Sequence, residues 1–236
     1  MIKLSVKAVS VTPADLPMLM PPFIDQFGAS EDKALASELL RITREMRVLL
    51  GQFFLYAAMS RSKDFGRACN ASEAREGRAI VLGSLLRSMV VSTAALFDDD
   101  PRTSNIPKIV RTALTPARSE FLNKFHAHYD VVSDGQHSLS LLVKYGRKLK
   151  RRGLRDAIQA VARVRNMFVA HFDMEPDAQN KRAVIRDLDH VISAAAIVVA
   201  EANVYVLGRR VDTRELRRIL RKEAGGFVET LKRGFP

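Results

Sequence analysis

Residues 187–207, DLDHVISAAAIVVAEANVYVL, are apolar on nearly every side between positions 194 and 199. A helix with apolar residues all round is buried, because a surface helix keeps one polar face for the solvent. The longest apolar run, 191–200, is about half of the roughly 20 residues that a membrane span needs. The stretch therefore predicts a buried core helix, and no membrane span is predicted elsewhere in the chain.

Helical periodicity continues on both sides of this stretch. Leucine, methionine and phenylalanine recur every three or four residues over 30–60, and a second long helix is predicted over 72–97, before Pro101. The segment 62–70 between them is predicted to be a polar break. The predicted fold class is all-α, a helical bundle of five or more helices. Shorter helices complete it, from Ser104, from Thr115, and over 137–149, 154–172 and 213–231.

The N-terminal residues follow a different pattern from the rest of the chain. Apolar and polar residues alternate over 2–7, a period of two that indicates an extended segment, and Pro13 marks the start of a short helix. No composition shift demands a second large domain. The predicted organisation is a short N-terminal extended arm with a short helix over 1–28, then a single helical domain over 29–236 with a basic C-terminal helix.

A formal net charge of +12 is the strongest global property of the 236-residue chain. Lysine and arginine release counterions from a polyanion, so such a charge favours a nucleic-acid binder, although a merely solvated basic surface gives the same value. The single cysteine, Cys69, excludes an internal disulfide. Because the N-terminus also lacks a signal-peptide pattern, the expected location is the cytoplasm.

One short segment carries the residue types that cleave RNA without a metal. Residues 165–171, RNMFVAH, place Arg165, Asn166 and His171 in an otherwise apolar stretch. An imidazole exchanges protons near neutral pH, and a guanidinium fork fits a phosphate. His171 is therefore the candidate proton-transfer group, Arg165 the candidate phosphate clamp, and Asn166 the residue that orients the imidazole or the substrate. This chemistry predicts neither a metal nor a cofactor.

Helix geometry limits what one chain provides. Six residues at about 100° each place His171 roughly 120° around an ideal helix from Arg165, so the two side chains do not share a face. A two-fold dimer would bring two copies of the set to one groove, which predicts a homodimer. The alternative is structural: both residues flank a core stripe with Phe168, and Asp173 pairs with one of them.

The spacing Arg165-Asn166-x-x-x-Ala170-His171, late in an all-helical chain, resembles the signature of the HEPN superfamily. The Ala-His ending with Asp173 two residues beyond it is similar to the abortive-infection (Abi type U) branch. So is the acidic turn that ends the second long helix, and the resemblance covers roughly 34–220.

The resemblance implies a dimerising helical bundle in which Arg165 and His171 of each copy face one shared cleft. It further implies a metal-independent RNase of a toxin or phage-defence system. Some relatives are inactive and only bind RNA or nucleotides. The arginine, the polar residue after it and the histidine are all present here, which favours an active enzyme.

Seven positive charges in twelve residues, with no acidic residue among them, precede the motif. This basic run (residues 144–155) is predicted to form an RNA-binding rim, and a solvated charged linker is the alternative. His126 and His128 lie two apart and point in different directions on a helix, so no metal site is predicted. The residues of the rim are Lys144, Arg147, Lys148, Lys150, Arg151, Arg152 and Arg155.

Two hypotheses from different classes follow. The first is a homodimeric endoribonuclease with RNA as substrate and a cognate antitoxin protein as a further partner. The second is a catalytically inactive helical module that binds RNA or a protein through its basic faces. A structural scaffold is a third option, and it predicts no RNA affinity even at low salt.

Overall fold

The computed structural model describes residues 21–72, 74–98, 100, 103–170 and 178–233, with the backbone alone at 169–170 and 178–183. These residues form helices and no strand, which confirms the predicted all-α class. The predicted extended segment lies outside the described residues, so the arm stays a prediction. The helices are α1 (Pro22–Phe27), α2 (Ser30–Arg61), α3 (Lys63–Asn70), α4 (Ala74–Leu96), α5 (Ile106–Ala113), α6 (Pro116–His128), α7 (Val132–Leu149), α8 (Arg152–Ala170), α9 (Ala178–Leu207) and α10 (Thr213–Arg233).

The chain divides into two compact units, each assembled from three separate segments. The first unit comprises the described residues of Met1–Met46, together with Leu96–Arg155 and Ser193–Leu216. The second comprises the described residues of Arg47–Ala95, Asp156–Ile192 and Arg217–Pro236. The predicted boundary between an arm and one domain at residue 29 stays a prediction.

The first unit is built around the end of α9, where the sequence predicted a buried helix. Tyr205 is completely buried, and its carbonyl accepts a hydrogen bond from Nε2 of His126 at 2.7 Å. Burial lowers the pKa of His126 below its ordinary value, and the bond to Tyr205 partly opposes this effect. The buried amide of Asn203 donates to Thr43 Oγ1 at 2.9 Å and to the Val199 carbonyl at 2.7 Å, which satisfies its polar nitrogen.

Helices α5, α6 and α7 pack on one another in the same unit. Phe23 of α1 lies 5.8 Å from the ring of Phe125 on α6, measured between centroids. Asp32, which is 6% exposed, accepts a hydrogen bond from Arg118 at 2.7 Å and another from the Ala29 backbone N–H. These contacts join the short α1 region and the start of α2 to α6.

The second unit has its own apolar cluster, formed by Met59, Phe65, Cys69 and Val228. Phe65 and Cys69 are four residues apart on α3, so both face the same side of that helix. The prediction of a polar break over 62–70 is therefore wrong. Ser62 caps α3 by accepting a hydrogen bond from the Phe65 backbone N–H at 3.3 Å, and burial of Phe65 and Cys69 holds the helix in place.

Two helices in the part of the chain that the structure describes are long and apolar enough to cross a membrane, by length and composition alone. They are Ala74–Leu96 and Val184–Leu207, and the most apolar windows of the two are 33% and 72% buried. A buried core helix passes the same test, so this criterion is a weak indication of a membrane span. The mostly buried stretch of α9 fits the core helix that the sequence predicted.

Candidate active site

Arg165 lies near the end of α8, at the edge of the apolar stripe of that helix. Leu154, Ala157, Val161 and Phe168 are buried at spacings of three, four and seven residues, which is one helix face. Arg165 follows Val161 by four residues and precedes Phe168 by three, and it is half-buried. Arg165 therefore lies beside buried apolar residues, which is compatible with the structural alternative and does not test its chemistry.

Asn166 holds the guanidinium of Arg165. The Oδ1 atom of Asn166 accepts hydrogen bonds from Nε of Arg165 at 3.1 Å and from a terminal nitrogen at 3.0 Å. A guanidinium carries five N–H donors, and two of its nitrogens donate in this fork. The amide of Asn166 therefore contacts the arginine, and its predicted role of orienting the imidazole or the substrate stays a prediction.

His171 and Asp173 lie outside the described residues. The structure therefore brings Arg165 and Asn166 together, and the third predicted catalytic residue, His171, stays a prediction. Within the described part of the chain, no group of three or more histidine, cysteine, aspartate or glutamate side chains is placed to hold a metal ion.

The seven residues of the basic run are all exposed. They lie at the end of α7, in the following turn and at the start of α8, and they belong to the first unit, whereas Arg165 belongs to the second. Exposure is what both the RNA-binding rim and the solvated linker require. The rim therefore stays a prediction.

A groove of about 530 Å³ opens in the second unit beside Phe168, three residues after Arg165. Three arginines line it, Arg75, Arg78 and Arg87, all from α4. Of the described residues that line the groove, none is acidic. Its volume falls within the range of about 300–1,000 Å³ that is typical of small-ligand sites.

Two of the three groove arginines have fixed positions. A terminal nitrogen of Arg78 donates to the Met59 carbonyl at 3.1 Å, and its Cζ lies 5.9 Å from the centre of the Phe65 ring. The Cζ atom of Arg87 lies 5.5 Å from the centre of the Phe168 ring, within the distance of a cation–π contact. The buried Nε of Arg78 has no hydrogen-bond partner among the described residues.

The sequence did not identify the groove arginines as site residues. They lie on a helix whose apolar residues dominate its pattern, and scattered arginines on such a helix are typical of a solvated face. The pattern that could have indicated them is the spacing of Arg75 and Arg78, which lie three residues apart and therefore share a helix face; Arg87 follows on the same helix. The packing of Phe168 against Arg87 connects this face to the motif helix α8.

An apolar face of α4 is exposed. Ile80 is 67% exposed, Val81 44% and Val91 41%, although valine and isoleucine are among the residues most often buried. Gly77, Ser84 and Ala95 are exposed on the same helix. These positions recur at intervals of three, four and seven residues, so they form one stripe of small and apolar side chains.

A family model described as AbiU2, of the HEPN group, matches residues 32–227, which is most of the chain. The matched range contains Arg165, Asn166 and His171 as well as the groove arginines. No curated protein and no solved structure matches the chain. The chain therefore belongs to the AbiU2 family of HEPN proteins, helical modules related to toxins and abortive infection.

Proposed function

We propose that the protein is a metal-independent endoribonuclease of a toxin or phage-defence system, which acts in the cytoplasm as a homodimer. The observation that carries the proposal is the half-buried Arg165, hydrogen-bonded to Asn166, six residues before His171. The family match supports the same class of protein. The net charge of +12 suits a polyanionic substrate.

His171 supplies the proton transfers in this proposal. An imidazole takes the proton of a ribose 2′-hydroxyl, and the 2′-oxygen attacks the adjacent phosphorus as the bond to the 5′-oxygen breaks. A protonated imidazole then gives a proton to that leaving oxygen. The products are a 2′,3′-cyclic phosphate and a 5′-hydroxyl. The guanidinium of Arg165 offsets the negative charge that builds up on the phosphoryl oxygens.

The exposed stripe of α4 supports the homodimer. An apolar stripe with small residues at helical spacing lets two copies of one helix approach closely, and a two-fold axis places equal surfaces against each other. RNA does not fit this face, because Ile80, Val81 and Val91 offer no charge to a phosphate. The 120° angle between Arg165 and His171 on an ideal helix supports a dimer independently, since two chains would complete one cleft.

The second candidate is an inactive helical module that binds RNA through the basic run. The exposure of all seven of its lysines and arginines favours this candidate as much as it favours the enzyme. In either case a cognate antitoxin protein is a partner that we infer from the family relationship alone. Cleavage that depends on His171 is what separates the two candidates.

An RNase assay in EDTA tests the proposal. Purified protein is incubated with a labelled single-stranded RNA, and the wild type is compared with His171→Ala, Arg165→Ala and the control His190→Ala. General acid–base catalysis contributes about 10²–10⁴-fold, so we expect His171→Ala to lose at least about 100-fold in rate. His190 is an exposed histidine of the same unit, and its replacement should leave the rate unchanged.

Product chemistry and binding complete the assay. The enzyme should leave a 2′,3′-cyclic phosphate, and His171→Ala should still bind the RNA. If the wild type binds RNA and shows no cleavage that depends on His171, the hypothesis of an inactive RNA-binding module is correct. A protein that binds no RNA at low salt would contradict both.

A further inference from the structure

We propose that one face of α10 holds the phosphate backbone of RNA, in addition to the contact that Arg165 is proposed to make. In naming RNA as the anion, the inference rests on the proposed function. The face lies in the second unit, as Arg165 does, and it spans about 140° of the helix circumference. The residues of this cationic face are Arg217, Arg221, Lys222 and Gly225.

The cations of this face have no carboxylate beside them on their own helix. The positions three and four residues away from Arg217, Arg221 and Lys222 carry no aspartate or glutamate. Arg217 and Arg221 instead lie four residues apart, and like charges at this spacing destabilise a helix. None of the three cations forms an ion pair with another described residue. The arrangement therefore weakens the helix of the free protein, and a bound polyanion relieves the repulsion.

The two ends of α10 follow the opposite rule. Asp212 accepts hydrogen bonds from the backbone N–H groups of Arg214 and Glu215 at 2.9 Å and 3.0 Å. Lys232 lies in the last turn, 3.8 Å from the carboxylate of Glu229. A capping acid at the start and a paired cation at the end both stabilise a helix. The charges of α10 thus suit helix stability at its ends and oppose it on the cationic face, as a site for an external anion requires.

Gly225 gives a second, independent indication of a ligand. It lies in the interior of α10, four residues after Arg221 and three after Lys222. A Cβ atom there would meet nothing within 4 Å, so packing in the described part of the chain does not require a glycine. Glycine lowers the stability of a helix interior relative to alanine, and one use of it is to let a ligand approach the backbone closely. A phosphate backbone that lies along the cationic face would occupy this space.

The two arginines of the face are restrained before any ligand binds. The Cζ atom of Arg221 lies 5.3 Å from the centre of the buried Phe54 ring, within the distance of a cation–π contact. Arg217 is half-buried, and its buried Nε has no hydrogen-bond partner among the described residues. A restrained side chain loses less entropy when it binds, and an anion offsets the cost of a partly buried, unpaired charge.

The packing of α10 favours RNA over a membrane or a protein partner. A helix that lies on a membrane inserts its apolar face, whereas Leu220, Ala224 and Val228 are already buried within the protein. A protein interface has an apolar core, and the exposed Phe227 lies about 160° around the helix from Gly225. The cationic face therefore offers charge without apolar surface. Guanidinium forks fit phosphate groups, and such contacts carry no base specificity.

The experiment measures the affinity of the full-length protein for a single-stranded 2′-O-methyl oligoribonucleotide, which lacks the attacking hydroxyl, across a salt series. R221A/K222A is compared with R61A/K63A, which removes one exposed arginine and one exposed lysine of the same unit. Loss of two phosphate contacts should reduce the salt slope by about 1.4 and raise Kd about tenfold or more at about 0.1 M salt. R61A/K63A should stay within about twofold of the wild type.

Gly225→Leu separates binding from folding. Leucine is a good helix former and the position is open, so the melting temperature should stay unchanged or rise by up to about 4 °C. The side chain should keep RNA from the helix and remove at least one phosphate contact, which raises Kd about fivefold at about 0.1 M salt. The control is Thr230→Leu, at an exposed position of α10 about 140° around the helix, and it should bind like the wild type.

Binding and cleavage together separate this inference from the proposed function. If RNA is cut, and R221A/K222A has the Kd and salt slope of R61A/K63A, the enzyme stands and the cationic face is overturned. If no RNA is cut but binding still depends on Arg221, Lys222 and Gly225, the cationic face stands and the proposed enzyme fails. Poly-glutamate should displace the oligonucleotide less well than unlabelled RNA does. Equal displacement at equal charge concentration would overturn RNA in favour of an acidic protein.

Discussion

Replacing Val91 by aspartate tests the α4 interface. Val91 is 41% exposed, and full burial of a valine contributes about 1.5–3 kcal/mol, so covering the rest of it in a dimer contributes about 1 kcal/mol per chain. In a two-fold interface both copies of Val91 contribute, so the dimer would lose about 2 kcal/mol, which raises its Kd about 30-fold. Two aspartates in the interface also lose hydration and repel each other, so we expect Kd to rise by at least about 100-fold.

Sedimentation velocity over a concentration series measures this Kd. The matched control is Val48→Asp, because Val48 is a valine of α2 in the same unit and is 61% exposed. Val48→Asp should dimerise like the wild type, and both variants should keep the wild-type melting temperature of the monomer. In Val91→Asp, cleavage per chain should fall at low protein concentration and recover at high concentration. Equal dimer Kd values for the wild type and both variants would refute the α4 interface.

Three further predictions concern the first unit. Arg118→Ala leaves the buried Asp32 carboxylate without its cation and should lower the free energy of unfolding by about 3 kcal/mol in urea, and D32N/R118M should recover much of that loss. Gly135→Ala places a Cβ atom against the buried His126 ring and should lower the free energy of unfolding by about 1–3 kcal/mol. In Gly146→Ala the new Cβ atom would meet only a methyl group at 3.4 Å, so this variant should lose less than about 1 kcal/mol or gain stability. Burial lowers the pKa of His126 in the folded state, so the unfolded chain binds the proton first as the pH falls. The free energy of unfolding should therefore be highest above about pH 6.5 and should decrease below it. The decrease should be less steep in His126→Gln.

Apolar periodicity was sufficient to predict the long helices. Packing of an apolar face supplies most of the stability of a long helix, so the helices predicted over 30–60 and 72–97 match α2 and α4 closely. Residues 194–199 lie in the apolar part of α9, as expected. These elements are long, and each presents many apolar residues to one face or to all sides. The all-α class follows from them directly.

Short elements and breaks were harder, because single contacts decide them. The segment 62–70 looked polar, yet α3 forms there because Ser62 caps it and only two side chains need burial. The helix predicted over 137–149 begins earlier, at Val132, because the chain turns at Asp130, which has a positive φ of 56°. Gly135 lies in the first turn of α7, where its missing side chain makes room for the His126 ring.

The candidate site was partly predictable for a similar reason. Arg165 and Asn166 stand out because a charged residue and an amide interrupt an apolar stretch, and the structure joins them by two hydrogen bonds. Arg75, Arg78 and Arg87 gave no such signal. Their convergence on one groove depends on the packing of α4 against α3 and Phe168, and no local pattern encodes that packing.

The most direct test of the central claim is the rate of RNA cleavage in EDTA by the wild type and by His171→Ala. The claim is that Arg165 and His171 cut RNA without a metal. It predicts that the wild type leaves 2′,3′-cyclic phosphate ends, that His171→Ala is slower by at least about 100-fold, and that His190→Ala is unaffected. Cleavage abolished by EDTA, or equally fast in His171→Ala, would contradict it.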